Sequence, residues 1–318
     1  MIATLFTMDP TATSRRPLKV GVQLPEVERE VRWPEYLAIA KTTEDVGFDA
    51  LWLGDHLLYR FANGESRGPW EVWTMLSALA ASTTRISLGP LVAATAFHAP
   101  AMLAKLAATV DEVSGGRLIL GLGAGWNETE FRAFGFPFDH RIDRFEEAFT
   151  IVRTLLRDGA IDFDGGYFQA RDCELLPRPQ RPGGPPLLIG SKGERMLRIA
   201  LPHVDAWNVW FADTGNSPAG VPPLRELVDS ICREVGRDPA TVQRTVAVQV
   251  RLPGGTGRIQ GDYAPTRTQP LEGGPDVLAE ELRRYAREGI SAVQLVLDPI
   301  TAAAIESLAP VLERLDRG

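Results

Sequence analysis

The stretch Arg117–Glu130, RLILGLGAGWNETE, joins the start of a buried strand to a glycine repeat and a helix start. Asn127, followed by two glutamates, is typical of a helix N-cap. The glycines between strand and cap are Gly121, Gly123 and Gly125. Because glycine weakens a strand, they indicate either tight packing or a bulge, or a flat ligand lying against bare backbone. The stretch alone does not separate these alternatives.

On both sides of this stretch, short apolar runs alternate with helical periodicity. Strands are predicted at Lys19–Leu24, Ala50–Gly54, Arg85–Val92, from Arg117–Leu120 onward, and at Pro186–Gly190, Ala206–Trp210, Arg244–Leu252 and Ala292–Leu297. Helices are predicted at Trp33–Val46, Pro69–Ser82, Ala99–Val113, Arg141–Arg157, Glu194–Leu201, Pro222–Val235, Pro275–Glu288 and Thr301–Leu315. A hairpin is predicted within Asp162–Leu176, and a long loop at Gly254–Gly274.

This alternation favours an α/β fold, a single (β/α)8 TIM barrel with insertions. The strands are apolar throughout, which is typical of a parallel sheet covered by helices, and eight units fit a barrel of about 250 residues or more. An open doubly wound sheet is the alternative, and the lack of a composition break disfavours it. We expect the barrel to span residues 18–318, after a flexible tail at residues 1–17.

Composition excludes several classes of function. The chain has 318 residues, 44% hydrophobic and 24% charged, with a net charge of −7 and no basic block, which disfavours nucleic acid. The sequence contains no run of about 20 apolar residues, so no membrane span is predicted. Two cysteines without a CxxC motif fit a reducing cytoplasm. Four scattered histidines, without HxH or HExxH, argue against a metal site.

In a TIM barrel, functional residues follow the carboxyl ends of the strands. Asp55 and His56 follow the second strand, and a histidine there can act as a general acid or base. Gly190, Ser191, Lys192 and Gly193 follow the fifth strand and open a helix, an arrangement that can bind phosphate. The glycine repeat is not a dinucleotide fingerprint, because Trp126 occupies the third glycine position and the strand is the fourth.

Three segments resemble the bacterial luciferase-like superfamily. They are ALWLGDH at Ala50–His56, the run Arg85–Phe138, and PPLLIGSKGE at Pro185–Glu194. The match extends over nearly the whole chain from about residue 18, and GAGWNE followed by AFGFPF resembles the branch that uses the deazaflavin coenzyme F420. The resemblance implies a TIM barrel with insertions, in agreement with the strand count.

The resemblance also implies a role for each matching residue. Asp55 and His56 would lie beside the deazaflavin ring, and Leu91 and Val92 would be joined by a non-proline cis peptide that bulges toward it. The ring and its side chain would lie along Gly123, Ala124, Gly125, Trp126 and Asn127. The phosphate would lie on Gly190, Ser191, Lys192 and Gly193. The substrate pocket is expected at Gln23, Trp70, Trp126, Trp210 and Arg251.

The activity that follows is an F420-dependent hydride transfer between the coenzyme's C5 and a small organic substrate, with His56 as the catalytic acid or base. Sugar-phosphate dehydrogenases of this branch carry a catalytic glutamate where this chain has Trp126, which disfavours that substrate. The alternatives are a two-component monooxygenase that uses reduced FMN and O2, and a non-catalytic flavin-binding barrel. The resemblance further implies a homodimer and a separate coenzyme reductase as partner, and the cysteine content predicts a cytoplasmic location.

Overall fold

Eight parallel strands form the barrel in the computed structural model, which describes residues 16–257 and 268–317. The strands are β1 Lys19–Gln23, β2 Ala50–Leu53, β3 Ser87–Pro90, β4 Leu120–Gly123, β5 Leu187–Gly190, β6 Ala206–Val209, β7 Gln243–Arg251 and β8 Ala292–Asp298. They neighbour one another in the order β3-β2-β1-β8-β7-β6-β5-β4. A parallel bridge between Leu88 of β3 and Leu118, just before β4, closes the ring. The predicted α/β barrel is therefore confirmed.

The helices cover the outside of this sheet. They are α1 Trp33–Val46, α2 Val72–Ser82, α3 Pro100–Ser114, α4 Glu128–Phe134, α5 Arg141–Asp158, α6 Glu194–Ala200, α7 Val221–Glu234, α8 Pro275–Arg287, α9 Ala302–Glu306 and α10 Ala309–Arg317. Asn127 caps α4 as predicted, since its side chain accepts a hydrogen bond from the Thr129 amide. Helix α2 begins later than Pro69, because the Glu71 carboxylate caps the amides of Trp73 and Thr74. Within the described ranges, no helix is both long and apolar enough to cross a bilayer.

The third strand is shorter than predicted because the chain changes partners after Pro90. The Leu91–Val92 peptide is cis, as the resemblance implied. Residues Ser87–Pro90 pair with β2, whereas the short strand Ala93–Ala94 that follows pairs with β4. The bulge at Leu91–Val92 therefore lies where the chain crosses from one neighbouring strand to the other.

The glycine repeat of β4 makes room for this bulge. A Cβ atom on Gly121 would lie 2.3 Å from the Pro90 carbonyl oxygen, and one on Gly123 would lie 2.8 Å from Val92 Cγ2. Gly125 has a φ of +73°, and a Cβ there would lie 2.6 Å from the Phe131 ring. Close packing thus accounts for all three glycines, which is the first of the two alternatives that the sequence left open.

Two charged residues are buried beneath the helices. Arg117 is 7% exposed and donates to carbonyl oxygens at the ends of α2 and α3. Asp111, which reads in the sequence as a solvated or capping charge, is instead 2% exposed and paired with Arg181. The pattern of α3 does not show this, because Arg181 lies 70 residues away in the connector before β5.

The segments outside the barrel follow the predictions in part. The hairpin forms from Ala160–Asp164 and Gln169–Glu174. Of the predicted tail, residues 1–15 lie outside the described residues, but Arg16 pairs with Asp49 and Asp316 and so belongs to the folded structure. Residues 258–267 of the long loop also lie outside the described residues.

Candidate active site

A cavity of about 720 Å³ lies at the carboxyl ends of the first six strands. Each of these strands, or the loop that follows it, contributes residues to the wall. Of the residues predicted for the site, the cavity is lined by Gln23, Asp55, His56, Leu91, Val92, Gly123, Ala124, Gly125, Trp126, Gly190, Ser191, Lys192, Gly193 and Trp210. The volume lies within the range usual for small-molecule and cofactor sites, about 300–1,000 Å³.

Three predicted residues lie elsewhere, and their assignment to this wall is corrected. Asn127 is buried at the start of α4, where its amide donates to the Leu58 carbonyl and its oxygen caps the helix. Trp70 donates to the Val31 carbonyl and lines a separate cavity. Arg251 pairs with Glu272. The assignments of Trp70 and Arg251 rested on the order of strands and loops along the chain. That order does not show in which direction a long side chain points.

His56 is held by a carboxylate from another loop. Its Nδ1 lies 2.9 Å from Glu130 Oε1, and Glu130 Oε2 accepts from the Leu57 amide at 2.8 Å. Glu130 is 1% exposed. The same carboxylate thus positions the ring and the backbone that follows it, leaving Nε2 as the ring nitrogen that does not face Glu130.

A second carboxylate lies on the Nε2 side of the ring. Glu26 Oε1 is 3.8 Å from His56 Nε2 and accepts a hydrogen bond from the Tyr59 hydroxyl at 2.7 Å. Its other oxygen accepts from Gln23 Nε2 at 2.8 Å. The imidazole therefore lies between two buried carboxylates.

These carboxylates determine the protonation of His56. Burial by itself lowers the pKa of the imidazole, but Glu130, Glu26 and Asp55 outweigh it and raise the pKa above its ordinary value. A histidine in this state gives and takes protons near neutral pH. The arrangement can therefore perform general acid–base chemistry at the cavity wall.

Asp55, the neighbour of His56 in the chain, binds the backbone of another segment. Its Oδ2 accepts from the Ala94 amide at 2.9 Å and lies 3.4 Å from His98 Nε2. Because Ala94 follows the Leu91–Val92 bulge, Asp55 joins the end of β2 to the segment that carries the bulge. The carboxylate is 4% exposed, so most of its surface is turned toward the protein.

Two cationic groups also line the cavity. Lys192 forms an ion pair with Asp213, and Ser191 Oγ accepts from the Gly193 amide at 3.1 Å. Arg141, at the start of α5, donates to the Gly125 carbonyl at 2.6 Å and lies over the Phe138 ring. A ligand with an anionic group would therefore meet a lysine that is already partly neutralised, with Arg141 also on the wall.

Trp126 forms an open aromatic wall next to His56. Its ring is 44% exposed and meets the imidazole edge-on, with the ring centroids 5.4 Å apart. Tyr59 packs behind, 4.9 Å from the His56 ring centroid. A substrate beside His56 would thus contact a large apolar surface.

The sequence did not identify Glu26, Glu130 or Arg141 as site residues. Glu130 stands three residues after the cap Asn127, the position at which a glutamate usually folds back onto its own helix start. In the structure it reaches instead to the loop after β2. The sequence shows the spacing between Asn127 and Glu130. It does not show that Glu130 pairs with His56, because His56 lies 74 residues away.

Replacing Glu130 with glutamine is expected to lower the pKa of His56, because a carboxylate that favours the imidazolium is lost while burial remains. In the wild type the folded-state pKa is raised above the unfolded value of about 6.5. The pair therefore stabilises the fold fully below that unfolded value, and the contribution is lost as pH rises through the folded pKa. Glu130→Gln should weaken this pH dependence, while Glu26 and Asp55 remain.

The measurement is an NMR titration of the His56 ring, combined with denaturant unfolding on both sides of pH 6.5. Glu128→Gln is the matched control, because Glu128 lies in the same helical turn but is exposed. A His56 titration midpoint that is the same in wild type and Glu130→Gln would contradict the assignment.

Comparison with known proteins agrees with this architecture. The family model for luciferase-like monooxygenase matches residues 17–252. The 5,10-methylenetetrahydromethanopterin reductase of Archaeoglobus fulgidus is 33% identical over 183 residues, 58% of this chain and 50% of the relative. Pyrimidine monooxygenase RutA of Cronobacter turicensis is 32% identical over 263 residues, 77% of this chain and 66% of the relative. The chain thus spans between half and two thirds of the length of these curated relatives.

Solved structures share the fold at lower identity. An F420-dependent secondary alcohol dehydrogenase in complex with an F420–acetone adduct superposes with a TM-score of 0.77 at 19% identity, covering 92% of this chain and 98% of its own. The EDTA monooxygenase of Chelativorans sp. BNC1 has a TM-score of 0.76 at 17% identity, covering 96% and 94%. At these identities the likeness establishes the barrel fold.

Proposed function

Since the chain belongs to the luciferase-like monooxygenase family of oxidoreductases, we propose that it binds the deazaflavin coenzyme F420 in the large cavity and oxidises or reduces a small organic substrate there. The observation that carries the acid–base part is His56, held on the cavity wall between Glu130 and Glu26. The GAGWNE sequence and the likeness to F420-dependent enzymes support the choice of coenzyme.

The cavity wall fits a flat heterocyclic coenzyme. Gln23 lines the cavity, and its Oε1 is buried without a hydrogen-bond partner among the residues that the structure describes. An unpaired buried acceptor is costly, so it suits a ligand that presents an N–H or O–H donor. Val92 and two of the glycines packed against it, Gly123 and Gly190, also line the cavity, and they present no side chain longer than that of valine.

We assign the ring to the wall formed by Asp55, His56, Leu91, Val92 and residues 123–126, and the phosphate to residues 190–193. When bound, the coenzyme supplies the hydride acceptor or donor, and the protein supplies position and electrostatics. Asn127 contributes indirectly, because it holds the start of α4 and the loop before it. Arg141 is a further cation on the cavity wall, beside the Gly125 carbonyl.

His56 would hold the proton that accompanies the hydride. With Nδ1 bound to Glu130, Nε2 is the ring nitrogen that would donate to, or accept from, an oxygen of the substrate. Trp126 and Trp210 would exclude water from the substrate and provide apolar contact. The Lys192–Asp213 pair would orient the lysine toward the phosphate end.

A reduced-FMN monooxygenase is the second candidate, because the match to a pyrimidine monooxygenase covers more of this chain than the match to the methylenetetrahydromethanopterin reductase. The residues assigned above would hold either coenzyme, since the two share a flat tricyclic ring and a phosphate. The two candidates differ in the coenzyme bound and in the use of O2.

Titration of the purified protein with oxidised F420 and with FMN distinguishes the candidates. We expect saturable F420 binding, seen as a change in coenzyme fluorescence, with FMN at least about tenfold weaker, or about 1.4 kcal/mol. Ala124→Trp, which fills the cavity, should abolish binding. Val113→Trp on the exposed side of α3 is the control and should not affect it.

The other outcomes of the coenzyme titration would lead to different conclusions about the function. Tight FMN binding without F420 binding would replace the coenzyme assignment with the second candidate. Failure of both to bind would overturn the proposal. A bound coenzyme whose redox state no donor or acceptor changes would indicate a non-catalytic barrel.

A further inference from the structure

A second cavity of about 530 Å³ lies between the loops that follow β1 and β2. Its walls come from residues 25–31, residues 65–70 and Tyr36. Trp70, which is 47% exposed, and Glu30, whose side chain is 69% exposed, lie at its rim. The cavity is thus open to solvent.

Glu26 lies between the two cavities. Among the described residues that line the large cavity or the second cavity, it is the one that lines both. Its side chain is only 3% exposed, so the carboxylate separates the two spaces and is not a surface group. Gly54 makes room for it, since a Cβ there would lie 2.9 Å from the Glu26 carboxyl carbon.

The carboxylate is held in this position by two hydrogen bonds. The Tyr59 hydroxyl and the Gln23 amide each donate to one of its oxygens, at 2.7 and 2.8 Å. Its Oε1 is also the oxygen that lies 3.8 Å from His56 Nε2. A buried acid fixed beside a buried base, with solvent behind the acid, has the layout of a proton-transfer path.

A path of this kind is needed once the large cavity is filled. The His56 side chain is 16% exposed, and that surface belongs to the large cavity. A coenzyme and substrate there would cover it, while Nδ1 already faces the buried Glu130. The proton that His56 gains or gives up in each turnover must therefore exchange with water from another direction.

We propose that Glu26 carries protons between His56 and the solvent of the second cavity while the large cavity is occupied. This inference rests on the proposed function, because it requires a ligand that covers His56. The transfer moves one proton and no electrons. The N–H bond at His56 Nε2 breaks as an O–H bond forms at Glu26, and the proton then passes to water in the second cavity, with the reverse sequence for uptake.

The gap of 3.8 Å is longer than a hydrogen bond. A side-chain shift of about 1 Å brings the two atoms within hydrogen-bond distance. The Tyr59 and Gln23 donors are neutral groups, and they hold the Glu26 carboxyl group in place beside His56.

The test follows exchange of the His56 Nε2 proton with water, by saturation transfer in protein labelled with ¹⁵N-histidine. Wild type, Glu26→Gln and Glu30→Gln are each measured free and saturated with F420 or with FMN. Glu30→Gln is the matched control, because Glu30 lines the second cavity but pairs with Arg32 and not with His56. Glu26→Asp tests whether a carboxylate restores the path.

We expect Glu26→Gln to slow exchange by at least about tenfold in the coenzyme-bound protein alone, with partial recovery in Glu26→Asp. Equal rates for wild type and Glu26→Gln in the bound protein would overturn the proposal. Equal slowing in the free protein, or slowing in Glu30→Gln, would overturn it as well, since both indicate a general structural effect. If neither coenzyme binds, the proposed function itself fails, and that result is read directly from the titration.

Discussion

Replacing His56 with alanine is expected to lower the turnover number by about 10²–10⁴-fold, the range for loss of a general acid or base. The ring is positioned by Glu130 at 2.9 Å, and the carboxylates around it keep its pKa raised, so that it can exchange protons near neutral pH. No other histidine lines the large cavity in the part of the chain that the structure describes. The alanine variant would therefore lose the proton transfer and keep the cavity.

The measurement is the turnover number for a substrate that the wild type converts, with the coenzyme saturating, together with the coenzyme dissociation constant. His140→Asn is the control, because His140 is exposed and asparagine tolerates its left-handed φ of 49°. A turnover number that survives in His56→Ala, with only weaker coenzyme binding, would show that His56 positions the coenzyme and does not move the proton.

Replacing Arg117 with methionine is expected to lower the free energy of unfolding by about 3–5 kcal/mol, since each buried acceptor left without a donor costs about 1–3 kcal/mol. The Arg117 guanidinium donates to the carbonyls of Ala80 and Thr83 at the end of α2, and to Ser114 at the end of α3. It also donates to the Ile86 carbonyl just before β3. A helix leaves its last carbonyls unpaired, and here one buried side chain supplies donors for two helices.

Denaturant unfolding monitored by circular dichroism measures this effect. Arg171→Met is the control, because the Arg171 side chain is 71% exposed and its pairing with Asp164 is loose, so its change should stay within about 0.5 kcal/mol. Arg117→Lys should lose an intermediate amount of unfolding free energy. Lysine keeps the charge, but it has fewer hydrogen-bond donors and all of them lie on one nitrogen. A loss below about 1 kcal/mol in Arg117→Met would contradict this account, because it would mean that water replaces the missing donors.

Much of the fold could be predicted from local pattern. Apolar runs separated by helical periodicity identified all eight barrel strands, and glycine or asparagine marked helix ends at Gly47 and Asn127. These signals lie in neighbouring residues of the chain. A strand that is buried on both faces, for example, must be apolar along its whole length. The third strand was predicted too long, since no property of residues 85–92 alone shows that the chain changes partners there.

The site was predicted where its residues stand directly at strand ends. Asp55, His56 and the segment 190–193 follow this rule and line the cavity. Arg251 followed the same reasoning and pairs instead with Glu272, because a long side chain can turn toward solvent or a neighbouring loop. Trp70, which was expected in the substrate pocket, lines the second cavity. Glu26 and Glu130 were missed because a glutamate in a loop or first helical turn has the composition of a surface residue.

The sequence by itself determined the class of fold, the edge of the barrel that carries the large cavity and the family. These depend on periodicity, strand count and short contiguous segments, which are properties of neighbouring residues. Only the tertiary structure decided what surrounds His56 and why the glycines of Arg117–Glu130 are there. The His56 imidazole acquires its raised pKa from Glu26 and Glu130, 30 residues before and 74 after it, and Gly121 and Gly123 are required by Val92. Contacts between distant segments arise only when the barrel closes, and burial then makes each of them strong.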